Sequence, residues 1–328
     1  MKLSELGETG LLKRIETSLQ TVDKGVFIGI GDDAAGVRFA NGTDLLITTD
    51  LLAEGIHFDL RYTPFYKLGA KALLVNISDI AAMGGIPRYA LIAIAVPQCL
   101  KVEDIDELYR GIKNTSASYK ISIIGGDTSA SKSGLMINIT LLGEAQRGYV
   151  IKRSSAKKGD KIFVTGTLGD SSAGLELLKK GKRNGYLIQR HLLPAPRVKE
   201  GIFLSKNRLA AAMIDISDGV ATDLNHICEQ SSVGATIYED KIPISKGLKK
   251  AKLKKRPLDY ALSGGEDYEL LFTVRERNIK KICDAISKGR LSAAMIGEIT
   301  EKKKGIFLID SRGRQRPLLA TGFEHFKS

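Results

Sequence analysis

Aspartates that follow short apolar runs are the residues of this sequence best suited to chemistry. Asp33, Asp50, Asp127, Asp215 and Asp218 each follow such a run, and glycines lie beside most of them. Strand ends that open into glycine-rich loops are where α/β proteins place their ligands. Because several carboxylates gathered there would repel one another, the pattern predicts a site that binds cations.

A sixth aspartate, Asp79, lies in the segment 70–83, AKALLVNISDIAAM. Apolar residues occupy nearly every face of the helix that this segment predicts, so the helix should be buried. Asn76 and Asp79 share one face of it. A buried, ionised carboxylate needs a partner, so Asp79 should contact a cation or strong donors. A structural salt bridge would explain one such acid, but several of them favour a functional site.

The side chains available as ligands indicate a metal bound through oxygen. The 328 residues include three cysteines and four histidines, and none of these forms a CxxC or HExxH motif. We therefore expect neither a disulfide framework nor a zinc-thiolate site. Carboxylate ligands favour magnesium, manganese or calcium.

Two glycine-rich loops resemble nucleotide-binding motifs only in part. The loop 29–34 matches a dinucleotide fingerprint, but Asp32 and Asp33 would repel a pyrophosphate unless a metal lay between them. A metal–phosphate site is the better interpretation. The loop 126–134 contains Lys132 and Ser133 without the glycine that precedes lysine in a Walker A motif. Any ATP would be bound without a P-loop.

Three other segments each allow two interpretations. The loop 164–174 either binds phosphate through backbone N–H groups, or Asp170 or Ser171 simply caps a helix. Either Glu266 or Asp267, in a tight turn before an apolar strand, could face a cleft. His57 is either a ligand contact or a surface histidine.

Alternating strands and helices carry these residues. Apolar runs predict strands at 26–30, 45–48, 89–96, 121–124, 135–142, 161–165 and 270–274. Apolar periodicity predicts helices at 64–83, 102–119, 174–180, 219–230 and 278–287. This mixture predicts an α/β or α+β fold.

The length and one polar stretch predict two domains. A chain of 328 residues is long enough for two, and the polar, basic stretch 146–160 is the best boundary. We predict an N-terminal α/β domain over 1–148 and a C-terminal α/β domain over 149–328. The active site is expected in the cleft between them.

The net charge of +13 (50 Lys and Arg, 37 Asp and Glu) raises the question of nucleic-acid binding. Residues 241–256 carry eight basic side chains and no acid, but they lack an aromatic on which bases could stack. We therefore expect a solvated surface there and no nucleic-acid partner. Charges interrupt the apolar residues of 1–16, so we expect no signal peptide, no membrane partner and a cytoplasmic location.

An ordered set of motifs resembles thiamine-monophosphate kinases. The motifs are GIGDDA (29–34), TTDLLAEGIHF (48–58), NISDIAAMG (76–84), IGGDT (124–128), RSSAKKGD (153–160), VTGTLGD (164–170), DISDG (215–219), SGGEDYEL (263–270) and GFEHF (322–326). One departure is RSSAKK, where the family commonly has RSGAKP. The resemblance implies an aminoimidazole ribonucleotide synthetase-like fold of two domains, each a mixed sheet flanked by helices. It also implies a homodimer built on the N-terminal sheets.

The resemblance further implies ATP-dependent phosphorylation of thiamine monophosphate to thiamine diphosphate, by direct in-line transfer assisted by several magnesium ions. Family positions that bind magnesium match Asp33, Thr48, Thr49, Asp50, Asp79, Asp127, Asp215 and Asp218. Those that contact ATP match Tyr109, Gly126, Asp127, Arg153 and Ser217, and those that contact thiamine phosphate match His57, Glu266 and Phe323. Asp50, Asp127 and Arg153 are the predicted catalytic residues.

Two other functions remain open from the sequence. Another ATP-dependent member of the same superfamily would share the fold. However, the Cys-Lys pair of selenophosphate synthetases and the C-terminal cysteine of the hydrogenase-maturation relatives are absent, since the last cysteine is Cys283. A basic nucleic-acid-binding protein would bind less tightly as salt rises, whereas a kinase would need magnesium and consume ATP.

Overall fold

Two sheets, each flanked by helices, follow one another along the chain. The computed structural model describes residues 24–40 and 42–319, together with residues 7, 10, 11, 14 and 322. Within them, the first sheet lies between Val26 and Gln146 and the second between Lys161 and Pro317. Both sheets are mixed, because each combines parallel and antiparallel neighbours. The predicted two-domain α/β architecture is confirmed.

The first sheet carries most of the predicted acids. Its strands are β1 (Val26–Ile28), β2 (Ala35–Arg38), β3 (Thr43–Ala53), β4 (Ile86–Pro97), β5 (Ser122–Ser131) and β6 (Met136–Gln146), in the spatial order β1-β2-β3-β6-β4-β5. Among the described strands of this sheet, only β4 and β5 run parallel to each other. Strand β5 is an edge strand, and nearly all of its residues are exposed.

Within residues 24–40 and 42–319, two helices belong to this sheet, α1 (Phe65–Ala82) and α2 (Val102–Tyr119). Helix α1 packs against both α2 and the sheet. Glycines allow the two helices to approach closely, because a Cβ at Gly69 would lie 2.0 Å from the Leu108 carbonyl oxygen. A Cβ at Gly111 would likewise lie 2.0 Å from the Tyr66 carbonyl oxygen.

Longer connections, many of them helical, join the strands of the second sheet. Its strands are β7 (Lys161–Thr165), β8 (Met213–Asp215), β9 (Val233–Tyr238), β10 (Leu270–Val274), β11 (Ala293–Glu301), β12 (Ile306–Ile309) and β13 (Gln315–Pro317), in the spatial order β13-β12-β9-β11-β7-β10-β8. The helices are α3 (Asp170–Lys179), α4 (Tyr186–Leu192), α5 (Val198–Lys206), α6 (Val220–Ser231), α7 (Lys246–Lys250), α8 (Pro257–Ser263) and α9 (Ile279–Ser287). None of the helices in the described residues combines the length and apolar character that a membrane span needs.

Helix α1 joins the two domains. It contacts α5 and β8 of the C-terminal domain as well as its own sheet. A Cβ at Gly201 of α5 would lie 2.2 Å from the Ala81 carbonyl oxygen, so glycine permits this approach. Lys71, Asn76 and Ser78 of α1 are buried. Polar side chains of this helix therefore lie at the domain junction.

Every predicted strand and helix is present, with corrections at some boundaries. The strand predicted at 45–48 is β3, which continues to Ala53, and the one predicted at 121–124 is β5, which continues to Ser131. Asp50 and Asp127 therefore lie inside strands rather than after them. The helix predicted from Gly174 begins at Asp170. Gly174 lies inside the helix and permits close packing there, since its Cβ would lie 2.1 Å from the Leu187 carbonyl oxygen.

Candidate active site

Three carboxylates from separate elements meet at the domain junction. Asp33 lies in the loop between β1 and β2, Asp79 lies in α1 and Asp215 ends β8. An oxygen atom from each lies within 4.8 Å of the others. Asp33 and Asp215 are buried. The fold thus brings together three acids that are widely separated in sequence, and we call them the carboxylate group.

The carboxylate group is short of positive charge. Burial raises the pKa of Asp79 well above its usual range, and the charge of Asp50 raises it further. Burial and then Asp33 do the same to the pKa of Asp215. Thr48 Oγ1 donates to Asp79 Oδ2 at 2.5 Å, and Ser78 Oγ donates to Asp215 Oδ2 at 2.6 Å.

Asp50 belongs to the same electrostatic environment. Burial raises its pKa from 3.8 to about 6. Its charge in turn acts on both Asp79 and Asp215. At neutral pH, ionised Asp50 and the carboxylate group therefore favour any cation that can reach them.

Arg153 supplies part of the missing charge from the C-terminal side of the junction. Its Nη2 donates to Asp33 Oδ1 at 2.8 Å and its Nε to Asp33 Oδ2 at 3.2 Å. Its backbone N–H donates to Asp32 Oδ2 at 3.2 Å. Burial and the neighbouring Asp33 raise the pKa of Asp32 to about 6. Arg153 therefore faces two carboxylates of the N-terminal domain at once.

The chemistry of the donor set fits a hard divalent cation. Asp33, Asp79 and Asp215 offer oxygen atoms at short mutual distances, with Thr48 hydrogen-bonded to the group. Oxygen donors of this kind suit Mg²⁺, and a divalent cation would remove the repulsion that raises the pKa values of Asp79 and Asp215.

A second group of possible ligands lies at the start of α6. Asp218, Asp223 and His226 place ligand atoms within 4.8 Å of one another. Asp223 Oδ2 also accepts the backbone N–H of Gly219 at 3.0 Å. Gly322 donates its N–H to Thr222 Oγ1 at 3.1 Å, so the chain returns to this loop near its end. Phe323, a predicted substrate contact, lies outside the described residues.

A cavity of about 840 Å³ opens beside these acids. Five predicted site residues line it, namely Asp50, His57, Ser217, Asp218 and Glu266. Phe58 and Leu175 add apolar wall, whereas Arg61, Lys179 and Arg183 add positive charge. The cavity thus offers both apolar and charged surface to a ligand and has carboxylates in its wall.

His57 is held in one tautomer. Its Nδ1 accepts the backbone N–H of Ala53 at 3.0 Å. The proton of the neutral ring is therefore on Nε2. His57 lines the cavity, and its contact with a ligand stays a prediction.

Glu266 and Asp267 have different environments. Glu266 lines the cavity, and its carboxylate lies 2.7 Å from Lys71 Nζ and 3.1 Å from His191 Nδ1. Burial disfavours its ionised form, but Lys71 and His191 outweigh burial and hold the pKa of Glu266 below its usual range. Asp267 is buried, and burial raises its pKa to about 8.

The structure favours the helix-cap interpretation of the loop 164–174, but the capping side chain is Asp267 and neither Asp170 nor Ser171. The Asp267 carboxylate accepts the N–H of Gly169 at 2.6 Å and that of Ser171 at 3.2 Å, at the first turn of α3. A protein carboxylate therefore occupies the position that a phosphate would need. Of Glu266 and Asp267, only Glu266 lines the cavity.

Sequence comparisons place the chain in a family. The sequence profile of the AIR synthase related protein N-terminal domain matches residues 31–145, and that of the C-terminal domain matches residues 157–310. The thiamine-monophosphate kinase of Aquifex aeolicus (strain VF5) is 39% identical over 333 residues, covering 99% of this chain and 100% of the relative. This chain belongs to the thiamine-monophosphate kinase family. It is an enzyme of the phosphotransferase class, whose acceptor is itself a phosphate group.

A second relative and a solved structure agree with this assignment. The thiamine-monophosphate kinase of Bacillus subtilis (strain 168) is 38% identical over 312 residues, covering 92% of this chain and 94% of the relative. A solved structure described as AaThiL complexed with AMPPCP and TMP has a TM-score of 0.86 and 39% sequence identity, with 99% of each chain covered. The two-domain family fold is therefore that of this chain.

Other predicted site residues lie apart from the carboxylate group. Thr49 lies on the sheet face opposite to Thr48 and Asp50, because side chains alternate along a strand. Asp127 lies on the same face as Thr49. It pairs with Ala93 across the sheet, and this row of paired residues continues through Asn138 to Leu51. Thr49 is exposed and hydrogen-bonds Thr140. The prediction that Thr49 and Asp127 bind metal stays a prediction.

Two predicted ATP contacts lie elsewhere on the first domain. Tyr109 is on α2, partly buried against the core. Gly126 is on β5, where a Cβ would lie 1.8 Å from the Ile92 carbonyl oxygen, so only glycine allows this pairing with β4. Their role in ATP binding stays a prediction, as does that of Ser217.

Four residues near these sites were missed from the sequence. Lys71 and His191 contact Glu266, Ser78 donates to Asp215, and Asp223 lies beside Asp218. Lys71 could have been identified from the sequence, because a lysine in a helix that is apolar on all faces needs a partner as much as Asp79 does. Nothing in the sequence distinguishes Ser78 and His191 as site residues, because serine and histidine are common in ordinary helices.

Proposed function

We propose that this chain transfers the terminal phosphoryl group of ATP directly to the phosphate of thiamine monophosphate, forming thiamine diphosphate and ADP. The observation that carries the proposal is the cavity beside the carboxylate group, in a chain 39% identical over nearly its full length to a relative whose structure is described with AMPPCP and TMP. The cavity accommodates an organic group between apolar side chains while acids for a metal lie in its wall.

The nucleophile of this reaction needs no general base. A phosphate monoester loses its second proton near pH 6, so the acceptor oxygen is largely ionised at neutral pH. The obstacle is the repulsion between two polyanions that must come into contact. Catalysis therefore consists of positioning the two phosphates in line and neutralising their charge.

Asp33, Asp50, Asp79 and Asp215 would hold magnesium at the domain junction, and Asp218 would hold it beside α6. Several bound magnesium ions would supply positive charge to the phosphates and align them. Thr48 would orient Asp79 through their hydrogen bond. Thr49 and Asp127 are also proposed magnesium ligands, but of a separate ion, because they lie on the opposite face of the sheet from Thr48 and Asp50.

Arg153 contributes in a different way. Its guanidinium lies against Asp33. Because Arg153 sits where the two domains meet, it can also contact a phosphate brought to that junction and stabilise the transferring group. Tyr109, Gly126, Asp127 and Ser217 are the other proposed ATP contacts.

The substrate end of the cavity is proposed to bind thiamine. His57 offers its Nε2 donor and Glu266 its carboxylate, while Phe58 gives an apolar surface. Phe323 is retained as a proposed contact. We propose that residues 1–148 provide metal, ATP and dimer contacts and that residues 149–328 complete the ATP and substrate sites. A reaction that consumes ATP is consistent with the proposed cytoplasmic location.

We also propose that the chain forms a homodimer through its first sheet. Leu51, Leu91 and Met136 are exposed on neighbouring strands, and the edge strand β5 adds exposed Ile124. Contiguous exposed apolar side chains beside an unpaired strand edge favour association with another chain. The mixed polar and apolar character of this face fits a second copy of the same sheet.

Leu91→Lys is therefore expected to weaken the dimer by about 100-fold, because it places a charge in an apolar interface. Light scattering with size-exclusion chromatography should give twice the 35.6 kDa chain mass for the wild type and the single chain mass for the variant. Val102→Lys is the matched control, since Val102 is exposed at the start of α2, away from this sheet face. A wild-type protein of single-chain mass at micromolar concentration contradicts the proposed dimer.

The reaction itself is tested by product analysis. Purified protein is incubated with ATP, MgCl₂ and thiamine monophosphate, and the products are separated by chromatography. We expect thiamine diphosphate with one ADP formed per product. ATP hydrolysis without thiamine diphosphate would instead indicate a relative with another acceptor.

A further inference from the structure

Lys71 is a buried charge to which the proposed mechanism gives no role. It lies in α1, and its side chain is only 2% exposed. Burying an ammonium group is costly unless a carboxylate pairs with it. Its partner is Glu266 of the C-terminal domain, at 2.7 Å from Lys71 Nζ. The pair therefore crosses the domain junction at the wall of the cavity.

Glu266 is held from two sides. Lys71 Nζ contacts Oε1, and His191 Nδ1 contacts Oε2 at 3.1 Å. Burial lowers the pKa of His191, and nearby Lys71 lowers it further, so the ring is neutral at physiological pH. His191 Nδ1 also lies 3.1 Å from Ser171 Oγ, and in the tautomer that carries the proton on Nδ1 both oxygens of Glu266 have a donor.

The rest of Glu266 is also constrained. Its backbone has φ +64°, a left-handed conformation that glutamate rarely adopts. Its N–H donates to the Ser217 carbonyl oxygen at 2.7 Å, which fixes the turn beside Ser217 and Asp218. The Glu266 side chain nevertheless keeps 25% exposure and lines the cavity. A strained turn and two donors thus present one carboxylate to the cavity.

We propose that Lys71 is a positioning residue for substrate recognition, holding the Glu266 carboxylate at the cavity wall where it binds the thiamine end of the substrate. Each Glu266 oxygen keeps a second lone pair for a ligand. The thiamine end carries a cationic thiazolium and an aminopyrimidine, and either suits a fixed carboxylate. This inference rests on the proposed function.

The test is a double-mutant cycle on Lys71 and Glu266. Turnover of wild type, Lys71→Met, Glu266→Gln and the double variant is measured with thiamine monophosphate and ATP varied separately. We expect Lys71→Met to raise KM for thiamine monophosphate by about tenfold, with KM for ATP changed by less than about twofold. In the Glu266→Gln background the same substitution should change KM for thiamine monophosphate by less than about twofold, because the group it positions is already altered.

Lys67→Met is the matched control. Lys67 lies one turn earlier in α1 and also bonds across the domain junction, to Gln189 Oε1 at 3.1 Å, but it does not line the cavity. Its removal should leave both KM values within about twofold of wild type. If Lys71→Met alone fails to fold, comparing the double variant with Glu266→Gln still decides the matter, because the double variant leaves no unpaired buried charge.

Two results overturn the role of Lys71 while leaving the reaction intact. One is an unchanged KM for thiamine monophosphate in Lys71→Met. The other is a further increase of about tenfold when Lys71→Met is added to Glu266→Gln, since a residue acting through Glu266 cannot be additive with its loss. A wild-type protein that forms no thiamine diphosphate overturns the proposed function itself and this inference with it.

Discussion

Asp50→Asn is expected to lower kcat for thiamine diphosphate formation by about 1,000-fold while the fold stays intact. The amide keeps the shape of the side chain but removes a negative charge from the proposed metal site, and charge stabilisation by bound metal contributes several kcal/mol to such reactions. Steady-state turnover with saturating ATP, MgCl₂ and thiamine monophosphate measures the loss. Glu301→Gln is the matched control, because Glu301 is a surface partner of Lys158 far from the cavity.

The same substitution is expected to raise the stability of the protein, although it lowers turnover. Burial raises the pKa of Asp50 from 3.8 to about 6, so the folded, metal-free protein binds this proton more tightly than the unfolded chain does. Ionised Asp50 therefore destabilises the folded state above about pH 6, and this cost disappears as the pH falls through 6 towards 4. In EDTA, Asp50→Asn should raise Tm at about pH 8 and change it less at about pH 5. Near-normal turnover in this variant would contradict the assignment of Asp50 as a metal ligand.

Arg153→Gln is expected to lower kcat by about 100-fold or more, since it removes the cation proposed to stabilise the transferring phosphoryl group. Unlike Asp50→Asn, it should also destabilise the metal-free protein. Arg153 pairs with Asp33, and losing one partner of a largely buried ion pair costs about 3 kcal/mol. Turnover and thermal unfolding in EDTA measure the two effects.

The control for Arg153→Gln is Arg314→Gln. Arg314 pairs with Asp310 on the surface, so its loss should leave turnover unchanged and Tm nearly so. Added Mg²⁺ should restore much of the stability that Arg153→Gln loses, because both cations act on Asp33. An Arg153→Gln variant as stable as wild type in EDTA would show that Arg153 does not neutralise Asp33 in solution.

Much of this architecture follows from strong local patterns in the sequence. The all-round apolar segment 70–83 predicts a buried helix, and Asp79 within it predicts a cation or a strong donor as its partner, which the structure provides in part as the Thr48 hydroxyl. Continuous apolar runs at 161–165 and 270–274 predict buried strands, and the observed strands have the same limits. These signals are local, so a single sequence contains them.

Strand ends were harder to predict, because polar residues can continue the backbone pairing between two strands. Thr49 and Asp50 look like the end of an apolar run, yet β3 continues to pair with β6 as far as Ala53. The period of two along a strand already separates Thr48 from Thr49 onto opposite faces. Applied to β3, that rule would have predicted that the two threonines do not share one metal site within a single chain.

Long-range pairing could not be predicted at all. Nothing local indicates that Lys71 meets Glu266, or that Asp267 rather than Asp170 accepts the N–H groups at the start of α3. The first contact depends on how the two domains pack, and the second depends on how distant segments of the C-terminal domain pack. Surface exposure, by contrast, could be predicted from local sequence. All eight Lys and Arg residues of the basic run 241–256 are exposed, as expected.

The central claim is that the buried carboxylates hold the divalent ions on which phosphoryl transfer depends. The most direct test measures metal binding and turnover on the same preparations, using Mn²⁺ as a spectroscopic substitute for Mg²⁺ and electron paramagnetic resonance to count bound ions. The account predicts that wild type and Glu301→Gln bind Mn²⁺ and form thiamine diphosphate, whereas Asp50→Asn loses bound Mn²⁺ and turnover together. Full turnover in Asp50→Asn, or turnover by the wild type in excess EDTA, would contradict it.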